Sequence, residues 1–111
     1  MHFEITPETL LIQLGYPVND TLLAQAERTI AATPGFATFS RHLLSLKDSL
    51  TRWNGYLALS NSRDAIKIKC DATDPQEIEI YRDTLKQWSD KYKVTLEPVP
   101  GTQTYYVLGQ N

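Results

Sequence analysis

The sequence predicts an α+β domain: three N-terminal helices followed by ββ-α-ββ, giving a four-stranded, mainly antiparallel sheet with helices packed on one face. Three observations carry this reading. Phe36, Phe39, Leu43, Leu46, Leu50 and Trp53 recur at alternating steps of three and four, which places all six on one stripe of a helix. Past Gly55 the apolar period drops to two, with Ile66, Ile68 and Cys70 alternating with Lys67 and Lys69, the pattern of a half-buried antiparallel strand. Asp74-Pro75-Gln76-Glu77 then combines an N-cap, a proline at the first helical position and an acid at the third, a capping-box arrangement.

Along the chain, His2–Ile5 reads as a short edge strand or an ordered tail. Thr6-Pro7-Glu8 opens a short helix whose apolar face is Leu10, Leu11 and Leu14, and Gly15 stops it. Asn19 or Asp20 caps a second helix over about 20–32, with Leu22, Leu23, Ala26 and Ile30 facing one way. Thr33 as N-cap and Pro34 as first helical residue begin the third helix, and Asn54-Gly55 ends it. A helix of about 18 residues spans roughly 27 Å, so this one is expected to be the main contributor to the core. On its outer face Asp48 and Arg52, four apart, are spaced as a surface ion pair.

Strands follow at Tyr56–Ser60 and Ala65–Cys70, joined by the polar turn Asn61-Ser62-Arg63-Asp64. The fourth helix runs from the Asp74 cap to about Tyr92, with Ile78, Tyr81, Leu85, Trp88 and Tyr92 on its apolar stripe. Two further strands, Val94–Pro98 and Thr104–Leu108, flank a Pro100-Gly101 turn suited to type II, and Gly109-Gln110-Asn111 is expected to fray.

The 111 residues make one domain, since two would each bury too little surface. Residues 1–55 hold four Lys/Arg against five Asp/Glu and residues 56–111 hold seven against eight, so neither half has the basic footprint of a nucleic-acid or anionic-membrane binder. Cys70 is the only cysteine, which excludes an intramolecular disulfide and a multi-cysteine metal site and points to a reducing, cytoplasmic setting. No apolar run approaches the ~20 residues needed to cross a bilayer.

Chemistry has few footholds. His2 and His42 lack the spacing of metal-ligand pairs, and Asp71 and Asp74 are accounted for by turn formation and helix capping. Cys70, alternating with Ile66 and Ile68, reads as a packed structural thiol, and His42 as a boundary residue of the third helix. There is no nucleophile–base pair, glycine-rich phosphate loop or nucleophile elbow. The expectation is therefore a non-enzymatic protein without cofactor or metal, acting through protein contacts as an adaptor, regulator or homodimer.

The aromatics Trp53, Tyr81, Trp88, Tyr92 and Tyr105 are the candidates for such a partner interface. Since neighbours in a strand point to opposite faces, one of Tyr105 and Tyr106 must leave the core side. The alternative is a small RNA- or DNA-binding accessory domain, using Tyr56, Lys67 and Lys69 on the helix-free sheet face, Arg63 at the adjacent turn and Tyr105 beside them. Glu97 is placed to share that face and oppose it.

Overall fold

A computed structural model describes residues 5–110. The expectation of a strand or tail at His2–Ile5 falls almost wholly outside the described residues; Ile5 itself is buried. The elements run α1 (Pro7–Leu14), α2 (Asp20–Ala31), α3 (Phe36–Leu50), a 3₁₀ turn (Thr51–Trp53), β1 (Gly55–Leu59), β2 (Ile66–Cys70), α4 (Pro75–Tyr92), β3 (Val94–Pro98) and β4 (Tyr105–Gln110).

Local chemistry explains most helix boundaries. Thr6 Oγ1 accepts from the Thr9 N–H at 3.1 Å to cap α1, and Gly15, at φ +86°, ends it. Asn19 caps α2 through the Leu22 N–H at 2.9 Å. Asp74 caps α4 through the Gln76 N–H at 3.0 Å, without a reciprocal bond from Glu77 among the described residues.

The start of α3 differs from the expectation. Thr33 is buried and its hydroxyl donates to the Thr29 carbonyl at 2.7 Å, extending the end of α2. Gly35, at φ +76°, stands at the N-cap without a side-chain bond. At the other end the helix tightens into the 3₁₀ turn after Leu50. Three residues per turn carry Trp53 off the buried stripe, and it is half-buried where Leu50 is fully covered. Asp48 lies 3.9 Å from Lys47; no ion pair joins it to Arg52 among the described residues.

The sheet has order β1-β2-β4-β3 with every neighbour antiparallel. It follows that β2 and β3 run the same way, α4 crosses between them, and β4 fills the slot they leave. Leu57, Leu59, Ile66, Ile68 and Val107 alternate onto one face and are buried against Phe39, Leu43, Leu46 and Leu50 of α3 and Tyr81, Leu85 and Trp88 of α4. The Tyr81 hydroxyl reaches the Gln103 carbonyl at 2.7 Å and the Ile68 carbonyl at 3.2 Å, tying α4 to β2 and to the turn before β4. Burial pushes this phenol far above its usual range.

Two contacts bind the N-terminal helices to the sheet. The Tyr16 hydroxyl accepts the Leu59 N–H at 3.1 Å on the outer edge of β1, and the Gln25 amide donates to the Ser60 carbonyl at 2.9 Å. The predicted turn Val99–Thr102 closes with Thr102 N–H on the Val99 carbonyl at 3.2 Å and Gly101 at φ +77°, the sign type II requires.

The expected fraying at Gly109-Gln110 does not occur. Both belong to β4, where the Gln110 N–H donates to the Pro34 carbonyl at 2.8 Å and its side-chain amide to the Tyr92 carbonyl at 2.9 Å. Asn111 lies outside the described residues. Gly109, at φ +113°, lets Pro34 approach so closely that a Cβ there would stand 2.6 Å from the Pro34 carbonyl oxygen.

Candidate binding face

The face of the sheet turned away from the helices gathers the residues predicted for nucleic-acid contact. Strand register sets Tyr56 opposite Lys69, and Ala58 opposite Lys67, which in turn faces Tyr106; Glu97 follows on β3. The face is therefore a row Ala58–Lys67–Tyr106–Glu97 with the pair Tyr56–Lys69 beside it. All but Glu97 are half-buried, and Glu97 is exposed.

Tyr105 does not join them. It pairs with Ile68 on the helix side, half-buried against the core with its ring 6.3 Å from that of Tyr81. Tyr106 takes the place expected of Tyr105. The alternation rule required one of the pair to face outwards, and the register of β4 against β2 decides which.

Polar contacts on this face are uneven. Arg63 lies over the Tyr106 ring, 4.6 Å from guanidinium carbon to ring centroid, and its Nη1 is 3.6 Å from Glu97 Oε1. The Tyr106 hydroxyl is 3.3 Å from Ser62 Oγ, and that of Tyr56 donates to Asp71 at 3.5 Å. Hydrogen bonds from Ser62 and Ser60, with the nearby charges of Lys67 and Arg63, pull the Tyr106 phenol below its usual range. Lys67 and Lys69 have no carboxylate within salt-bridge reach among the described residues.

The aromatics expected to form a partner interface are scattered instead. Tyr81 is fully buried and Trp88 is 8% exposed, its indole N–H donating to the His42 carbonyl at 3.1 Å, so neither is a surface group. Their three-four stripe on α4 meets the sheet and α3, which is the use a helix stripe has in any small core. Tyr92 is half-buried and stacked on the His42 ring at 4.0 Å and 15°, with Lys91 Nζ 5.3 Å from it. Trp53 is half-buried at the far end of α3, where its carbonyl accepts the Cys70 thiol at 3.3 Å. Cys70 is accordingly half-buried and hydrogen-bonded rather than fully enclosed.

Among the described residues no cluster of three or more His, Cys, Asp or Glu could hold a metal ion, and no helix is long and apolar enough to cross a membrane. Compared with protein-family models, curated proteins and solved structures, the chain matches none of them.

Proposed function

We propose that the chain is a non-catalytic domain that works through protein contacts, and that its contact surface is the helix-free sheet face rather than the aromatic helix stripes. The observation that carries this is the pair Lys67 and Lys69, adjacent on an uncovered face, in register with Tyr106 and Tyr56 and without carboxylate partners among the described residues. Tyrosines supply large contact area at little conformational cost, and unpaired lysines select a partner surface of opposite charge. A second copy of the chain is one such partner, since Glu97 and Asp71 border the same face. The single thiol fits a reducing, cytoplasmic setting.

Single-stranded nucleic acid is the second reading, favoured by the same juxtaposition of tyrosine and lysine. Two features weigh against it. The Arg63 guanidinium already covers a face of the Tyr106 ring, where a base would stack, and two free lysines neutralise few phosphates on a chain of net charge −2.

A photo-crosslinking amino acid in place of Ala58, beside Lys67 on the face, tests the proposal in cells. The expected result is a protein adduct that disappears when Lys67→Glu and Lys69→Glu are added. Adducts to nucleic acid would replace the proposal with the second reading, and the absence of any adduct would overturn both. Light scattering over a concentration series identifies the homodimer version, which the same double substitution should dissociate.

A further inference from the structure

Where α2 meets the β1–β2 turn, a cleft of about 400 Å³ is lined by Gln25, Arg28, Ser60, Asn61, Ser62, Arg63 and Asp64, with no apolar side chain among them. We infer that this cleft is an oxyanion-binding site for a phosphoryl or carboxylate group, adjoining the proposed contact face where Arg63 and Ser62 meet Tyr106. The two guanidiniums of the cleft are each met by one carboxylate, Asp64 at 3.3 Å from Arg28 and Glu97 at 3.6 Å from Arg63. An oxyanion would therefore enter by taking the arginine donors that these exposed pairs leave unused.

The donors are available. Arg28 holds Asp64 through Nε at 3.3 Å, which leaves its two terminal nitrogens without a hydrogen bond among the described residues. Arg63 meets Glu97 only at 3.6 Å. Both pairs are solvent-exposed and so contribute little, and a well-placed oxyanion can compete for either arginine. The Asn61 side-chain amide makes no hydrogen bond among the described residues. Ser60 and Ser62 stand 3.1 Å apart, hydroxyl to hydroxyl, and Ser62 continues to the Tyr106 hydroxyl at 3.3 Å.

The tyrosine reports on the same chemistry. The Ser62 and Ser60 hydroxyls, with smaller contributions from the Lys67 and Arg63 charges, lower its phenol pKa by favouring negative charge on oxygen at this corner. An incoming phosphate or carboxylate would meet those same donors with the free Arg28 nitrogens added. The part-buried hydrogen bond from the Gln25 amide to the Ser60 carbonyl sets α2 against the turn, which brings Arg28 and the turn's donors together before a ligand arrives.

The test is a titration of the ¹⁵N-labelled protein followed by NMR at constant ionic strength, with inorganic phosphate, acetate and chloride as separate ligands. Saturable shifts confined to the amides of residues 60–64 and the Arg28 side chain are expected with phosphate. The double variant Arg28→Gln, Arg63→Gln should lose at least tenfold in affinity while its remaining amide spectrum is unchanged. Tighter binding of phosphate than of acetate would assign a phosphoryl ligand, and tighter binding of acetate a carboxylate. Shifts no larger than those with chloride, or unchanged affinity in the double variant, would overturn the inference. Lys69→Glu alone, at a position that faces Tyr56 away from the cleft, should leave the phosphate titration intact whether or not it weakens partner contact.

Discussion

Tyr81 shows how much a single side chain does here. Its ring is fully buried and its hydroxyl serves two carbonyls, one on β2 and one on the turn before β4. Replacing it with Phe keeps the packing but leaves the Gln103 and Ile68 carbonyls without this donor, and should cost about 1–2 kcal/mol in a denaturant titration. The same residue makes stability pH-dependent at the alkaline end. Above the ordinary phenol pKa of 10.0 the unfolded chain releases a proton that the folded chain retains, so stability falls as pH rises from there. Tyr81→Phe should flatten that fall, measured as the denaturation midpoint between pH 9 and 11. In α3, Leu46 is 3% exposed on the stripe that faces the sheet and α4, and Leu46→Ala should cost roughly 2–5 kcal/mol. A loss below about half a kilocalorie would contradict its place in the core.

Among the elements, α4 rests on its cap. Asp74→Ala removes the acceptor for the Gln76 N–H and should cost about 1 kcal/mol, visible as a lower denaturation midpoint. The join between the α2–α3 turn and β4 is stiffer. Gly109→Ala would force a Cβ to within 2.6 Å of the Pro34 carbonyl oxygen at a φ of +113°, and a loss on the order of 1–3 kcal/mol is expected from the backbone alone. Hydrogen exchange at the Gln110 amide would rise with it. Four helices, four strands and their types were legible because period and capping are local properties of sequence. Thr33 misled for a local reason too: a threonine before a proline resembles an N-cap, yet here its hydroxyl turns back to Thr29. What no local pattern encodes is register. Tyr105 and Tyr106 are equivalent as text, and only the pairing of Lys67 with Tyr106 sends one to the core and the other to the open face. For the same reason the stripe of α4 could not reveal in advance that Tyr81 and Trp88 would be wholly consumed by packing, or that Arg28 on α2 would come to line a cleft with Arg63.

At the scale of the whole molecule, the helices shield one side of the sheet and leave its basic and aromatic side in water. The strand order adds a consequence in time. β4 lies between β2 and β3, yet it is the last of the four along the chain. During synthesis the hairpin and α4 emerge first, and β3 follows with no neighbour to pair with. Until residues 105–110 arrive, two strands present unpaired edges and the core face of the sheet has a gap one strand wide. The closing strand also carries the latch to Pro34, so the α2–α3 turn is tied to the sheet only after β4 is in place. A nascent chain of this protein therefore passes through a stage without its keystone, dependent on whatever keeps open edges apart.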